Sequence, residues 1–191
     1  MRQCSVRRFG RAAIVAVTSL GLLGCTTIAP TGRDLPAISA EPSPANLRTD
    51  AIPPDAQPAV VASIIDGDTI RVHIGDIDEI VRLLEIDAPE ASGGCGAMQA
   101  TGAVGDLVPP GSTVWLERDV EDRDRYGRLL RYVWRDDAAL LNERLIEAGW
   151  AEAKLFLPND RRWAAMRRAQ QVARDAGAGI WRLCASRKRG R

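Results

Sequence analysis

Histidine is almost absent: His73 is the only one in 191 residues. This rules out a zinc site built on several histidines, and any nucleophile pair that needs a histidine base must recruit this one residue. The chain also lacks a G-x-S-x-G elbow and a glycine-rich loop of the phosphate-cradling kind. No apolar run reaches the roughly 20 residues of a spanning helix. Cysteine is scarce, with only Cys4, Cys25, Cys95 and Cys184.

The longest apolar stretch, Ala12 to Gly24, follows Arg2, Arg7, Arg8 and Arg11 without an intervening acid. A basic start and a short apolar stretch are the pattern of a secretory signal. Its ending, "LLGC", resembles a bacterial lipobox, in which Cys25 is lipidated and becomes the mature N-terminus. Residues 1–25 are therefore expected to be a lipoprotein signal, and the protein to be anchored in the cell membrane outside the cytoplasm, or secreted if the lipobox is not used. Residues 26–58 hold seven of the eleven prolines and show no apolar period, as in a disordered tether. The folded domain is expected at 59–184, with a basic tail at 185–191. Cys95 and Cys184 remain as a pair in an exported domain. They form either a disulfide or two free buried thiols.

Removing the four signal arginines takes the net charge from +1 to −3. The layout matters more than the total. Lys154 to Arg191 carries eleven Lys/Arg against Asp160 and Asp175, whereas acids concentrate between Asp66 and Asp124. Such asymmetry suits a polyanion held by one part of the surface and a cation held by another.

Within the domain, "AVVASII" (59–65), "TIRVHI" (69–74), "EIVRLLEI" (79–86), "STVWLE" (112–117) and "LLRYVW" (129–134) read as strands separated by turn residues. A helical turn or two is expected between Met98 and Leu107, weakened by Gly102 and Gly105. A helix is predicted at 138–148, and another from Asp160 as N-cap to Ala176, burying Trp163, Met166, Ala169, Gln170 and Ala173. Five short strands with helices inserted and appended predict a mainly β, α+β fold: a five-stranded Greek-key OB-fold barrel with about three helices.

The chemistry-bearing residues are oxygens and guanidiniums. Asp66 and Asp68 flank Gly67 at a turn, and Asp87 and Glu90 follow the third strand. Two or three carboxylates with water would suit a hard cation, although Asp-Gly-Asp alone is also an ordinary turn. Arg82 and Arg128 could grip a phosphate bidentately, although Arg128 belongs to a charged loop that could simply keep a strand soluble. His73 shares a strand face with Arg71, alternating with apolar Ile70, Val72 and Ile74, and reads as structural or solvent-facing.

In order, "IDGDTIRV", "VRLLEIDAPE", "DRYGRLLRYVW" and "LNERLIEAGWA" resemble the thermonuclease, or staphylococcal-nuclease-like, family from about Val60 to Trp181. The resemblance implies an OB-fold barrel with three helices and Ca²⁺-dependent cleavage of DNA and RNA. It implies Asp68 and Asp87 as carboxylate ligands of the metal, the backbone carbonyl of Ala88 as a third, and Asp66 as a carboxylate outside the ligand shell. Glu90 is implied as general base, and Arg82 and Arg128 as the phosphate-binding arginines. Lys154, Phe156, Arg125 and Tyr126 would contact nucleic acid; Lys154 and Phe156 stand where the best-known relatives carry tyrosines. Strict alternation puts Arg82 and Asp87 on opposite strand faces, so a bulge or strand end must intervene.

The expectation is thus a tethered Ca²⁺-dependent nuclease of low sequence specificity, a monomer with no protein partner. The alternatives are an OB-fold lipoprotein that binds nucleic acid without catalysis, and a structural envelope lipoprotein that reuses the fold.

Overall fold

Strands form in each of the five predicted stretches, with informative differences at the ends and one interruption inside the third. The computed structural model describes residues 51–90 and 92–185. The signal, Cys25, the tether up to residue 50 and the tail from 186 lie outside the described residues. The elements are β1 (Gln57–Ile64), β2 (Thr69–Ile74), β3 (Ile77–Leu83), β4 (Ile86–Asp87), α1 (Ala97–Leu107), β5 (Thr113–Arg123), β6 (Leu129–Trp134), α2 (Leu141–Glu147), β7 (Glu152–Ala153), α3 (Trp163–Asp175) and α4 (Ile180–Leu183). No helix among the described residues is long and apolar enough to cross a membrane.

The five long strands close into a barrel in the order β1-β2-β3-β6-β5. All neighbours are antiparallel except β3 and β6, which run parallel. Closure leaves no long sheet edge exposed. Val61, Ile70, Val72, Val81, Leu83, Val114, Leu116 and Val133 fill the barrel, and the helices cap it through Ala100 and Val104, through Leu141, Leu145 and Ile146, and through Met166 and Ala169. This is the α+β OB-fold architecture expected from the sequence.

Strand β1 begins at Gln57 rather than Ala59. Pro58 is tolerated because residues 57–59 pair only with β5, so its missing N–H faces no partner strand. Strand β5 runs six residues past the predicted "STVWLE", with its pairing to β6 shifted between Arg118 and Arg123. Helix α1 spans eleven residues, more than a turn or two. Ala97, Ala100 and Val104 bury one face, and that packing outweighs a glycine cost of about 1 kcal/mol each. Helix α2 is shorter than predicted, because Leu140 still bridges Trp134 in extended conformation. Asp160 is not the cap of α3: Arg162 holds that position without a side-chain cap, and the Asp160 carbonyl accepts from Trp163 N at 3.1 Å. Of the five residues predicted inside α3, Met166, Ala169 and Ala173 are buried, while Trp163 and Gln170 are half-buried.

A disulfide joins Cys95 to Cys184, Cα atoms 5.9 Å apart. It ties the segment after Glu90 to the end of α4 across 89 residues, a closure worth about 4–5 kcal/mol in the chain-entropy model.

Candidate functional site

The predicted strand "EIVRLLEI" is two strands. β3 stops at Leu83, Glu85 takes a left-handed φ of 59°, and β4 restarts at Ile86. This reversal removes the alternation problem, since Arg82 and Asp87 now reach each other, Nη2 to Oδ1 at 3.4 Å. The turn is held on three sides. Leu84 N donates to Arg131 O at 2.9 Å, and Asn142 Nδ2 of α2 donates to Leu84 O at 2.9 Å. Fully buried Glu85 accepts from Tyr132 Oη at 2.8 Å and from Arg162 N at 3.2 Å. Its Oε2 has no partner among the described residues, and burial pushes its carboxyl up. Burial, then Glu85, push the Tyr132 phenol up as well.

Gly67 explains why "DGD" is more than a turn. A Cβ there would lie 2.6 Å from Ala88 Cβ and 2.8 Å from Ala100 Cβ, so only glycine lets this turn tuck against the chain after β4 and against α1. The approach brings Asp68 to Ala88. Asp68 is 8% exposed; its Oδ2 accepts from Ala88 N at 2.9 Å and its Oδ1 from Thr69 Oγ1 at 3.0 Å. Asp66 Oδ1 accepts from Asp68 N at 3.0 Å. Arg82 Nη2 lies 3.1 Å from Asp68 Oδ2, and Arg82 Nη1 donates to Leu83 O at 2.8 Å. Burial raises the Asp68 carboxyl to about 6 despite Arg82 and these hydrogen bonds, with Asp66 adding to the rise.

The β5–β6 hairpin supplies the opposite wall. Gly127, at φ 81°, closes a turn in which Asp124 accepts from Tyr126 N, Arg128 N and, at 2.7 Å, Arg128 Nε. Burial opposes ionisation of Asp124, but these bonds hold its carboxyl below the ordinary range. Arg125 and Arg128 lie 4.7 Å and 5.5 Å from the exposed Tyr126 ring. The third wall is the segment after β7, whose Asn159 Oδ1 accepts from Val120 N and Glu121 N and so fastens it to β5. Phe156 lies 5.8 Å from the Arg82 guanidinium.

These walls enclose an open cleft of about 760 Å³. Asp66, Asp68, Arg82, Glu90, Arg125, Tyr126, Arg128, Lys154 and Phe156 all line it, so most of the residues singled out in the sequence converge on one cavity. Glu90 is exposed at its mouth. Asp87 reaches Arg82 from β4, and buried Ala88 contributes its N–H to Asp68. Lys154 has its Nζ 2.9 Å from Asp87 Oδ2. Likewise Arg128 is held by Asp124. His73 lies outside the cleft, exposed, with Nδ1 2.6 Å from Asp78 Oδ1. The sequence reading missed Glu121, Arg123, Leu157 and Asn159 as cleft residues. Its one available signal for Arg123 was the run of arginines before β6.

Among the described residues, five acidic and five basic side chains line the cleft and balance. A polyanion entering it would meet no net attraction without additional positive charge. Among the described residues, no group of three or more His, Cys, Asp or Glu side chains is gathered to hold a metal. Asp68 and Asp87 nonetheless face one guanidinium nitrogen from two sides, at 3.1 and 3.4 Å. Asp68 is a buried carboxylate whose charge is incompletely compensated. An all-oxygen set of few protein donors, completed by water, fits a hard divalent cation.

The fold and the cleft define an OB-fold protein with an acid-and-arginine site of phosphate-handling type. The family described as Staphylococcal nuclease homologue matches residues 80–183. Over 126 residues the chain is 37% identical to a thermonuclease of Staphylococcus intermedius, covering 64% of this chain and 74% of that protein. It is 34% identical to a thermonuclease of Staphylococcus hyicus over 125 residues, 63% and 73% of the respective chains. It is 36% identical to the endonuclease YncB of Bacillus subtilis over 124 residues, 61% of this chain and 58% of that protein. The chain belongs to the staphylococcal nuclease family and is a hydrolase of the nuclease class.

Proposed function

We propose that this nuclease hydrolyses phosphodiester bonds of DNA and RNA with low sequence specificity, using one Ca²⁺, and acts outside the cytoplasm as a monomeric domain tethered through lipidated Cys25. The observation that carries the catalytic part is that Arg82, which lines the cleft with Asp68, lies within 3.4 Å of both the Asp68 and Asp87 carboxylates. Asp68, Asp87 and the Ala88 carbonyl would hold the cation, with Asp66 steadying Asp68 through its backbone N–H. When bound, the cation supplies charge stabilisation to the scissile phosphate. Arg82 and Arg128 present guanidiniums to the nonbridging oxygens, where negative charge grows during attack. Glu90, exposed at the cleft mouth, takes the proton from the attacking water. Tyr126 and Phe156 offer faces on which bases stack without regard to sequence, with Arg125 and Lys154 beside them.

Release of Arg128 from Asp124 and of Arg82 from its carboxylates is the rearrangement this chemistry requires. Its driving force is the exchange of carboxylate partners for phosphate and cation. Arg82→Ala and Arg128→Ala, assayed on labelled DNA with Ca²⁺ present, are each expected to lower kcat by about 10²–10³, the usual effect of deleting one transition-state donor. Asp68→Ala is expected to abolish measurable turnover. Wild-type turnover in both arginine variants would refute the assigned roles, and DNA retention without cleavage by the parent protein would favour a binding module.

A further inference from the structure

We infer that Lys154 is a tethered counter-cation of the candidate cation site: it occupies Asp87 when no divalent cation is bound and is displaced from it when one binds. The inference rests on the cation reading above. Asp87 has both carboxylate oxygens committed to cationic side chains, Oδ1 to Arg82 at 3.4 Å and Oδ2 to Lys154 at 2.9 Å. The backbone leaves Lys154 little choice of position. Strand β7 pairs with β4 so that Glu152 faces Asp87 and Ala153 faces Ile86, and Lys154 N then donates to Glu85 O at 2.9 Å. Ala153 N is anchored in turn on Gln170 Oε1 of α3 at 2.8 Å. The lysine stem therefore starts at a fixed point one pairing step beyond the β4–β7 ladder, from which its ammonium crosses back to Asp87.

The pair is exchangeable. The Lys154 and Asp87 side chains are 50% and 40% exposed, so solvent screens the attraction and separation costs little. A divalent cation offers Asp87 twice the charge and tolerates a wet site. Arg82 leaves Asp87 less readily and only when a phosphate takes its guanidinium, because its side chain is only 12% exposed and also bonds Leu83 O and Asp68. While paired with Asp87, the Lys154 ammonium already lines the cleft and lies 5.3 Å from the Phe156 ring, so once displaced it is within reach of a phosphate entering there. Cation and polyanion binding are then coupled through one lysine, and the coupling is reciprocal.

The test is a Ca²⁺ titration of the full chain by calorimetry, free of nucleic acid, comparing wild type with Lys154→Met and Lys154→Gln and using Asp87→Asn as control. Both lysine variants are expected to bind Ca²⁺ on the order of three- to tenfold more tightly, since each removes a competitor for Asp87 and a like charge beside the ion. Detectable binding in the lysine variants alone would support the inference in stronger form. Unchanged or weaker binding in both variants, with Asp87→Asn still impaired, would overturn the role of Lys154 and leave the cation reading standing. No Ca²⁺ uptake by any of the proteins would remove the cation reading and this inference with it.

Discussion

Glu85 decides where Asp87 points. In a continuous strand, residues five apart lie on opposite faces, yet the Arg82 and Asp87 side chains touch because one non-glycine residue adopts φ 59°. A left-handed glutamate is costly, and three sets of contacts offset it: Tyr132 and Arg162 on its carboxylate, Lys154 N on its carbonyl, and Asn142 on the neighbouring Leu84 carbonyl. Glu90 plays the opposite part: its residue is exposed in the cleft lining, and among the described residues only its backbone carbonyl is engaged, by Gly93 N and Gly94 N. Glu90→Gln should therefore lower kcat by about 10²–10⁴, as expected for loss of a general base, without shifting the thermal melt. A variant that turns over at the wild-type rate would exclude Glu90 as the base. Asp68, Arg82, Glu90 and Arg128 were legible because four motifs in order resemble one family; taken singly, each also reads as a turn or a charged strand margin. Glu85 was not, because its partners Tyr132 and Arg162 lie 47 and 77 residues along the chain, and a glutamate within an alternating run looks like its solvent face.

Strands β2 and β6 match their predicted bounds because turn residues flank them, residues 66–68 and Gly75 around β2 and Gly127 before β6, although β6 is buried along its whole length rather than alternating. Strand β5 outruns its prediction because Arg118–Arg123 is polar, and what keeps it extended is tertiary. Buried Arg131 of β6 reaches back to Asp122 Oδ1 at 2.7 Å, Arg123 forks onto Glu79 of β3, and Asn159 accepts two β5 amides. The hydrogen bond from Arg131 is the main reason the Asp122 carboxyl sits below its ordinary value of 3.8. A carboxylate depressed by folding contributes stability above its unfolded pKa and loses it as pH falls through its folded pKa. Asp122→Asn should therefore be less stable than wild type in urea melts at neutral pH, with the difference shrinking once the pH drops well below 3.8. A difference that stays constant with pH would mean the clasp depends on shape rather than charge. The two ends of α3 differ in the same way: its glycine stop was readable, whereas its start moved from Asp160 to Trp163 because a backbone turn, not a side-chain cap, receives the chain.

Over the whole molecule, the barrel, the long β5–β6 hairpin and the segment after β7 bring residues from 66 to 159 around one cleft. The cleft's acids and bases cancel, so its capacity to hold a polyanion depends on what binds the acids. The Cys95–Cys184 bridge fastens the chain beyond Glu90 to the last helix. Both cysteines were visible in the sequence, but only the fold brings two residues 89 apart to a Cα separation of 5.9 Å. The proposed signal and Cys25 lie outside the described residues, and the proposal of export and anchoring rests on the sequence pattern. The most direct measurement is cleavage of labelled DNA by the full chain in Ca²⁺, in excess chelator, and after Ca²⁺ is restored. Cleavage should stop in chelator and return with Ca²⁺; undiminished cleavage in chelator would contradict a cation held by Asp68 and Asp87.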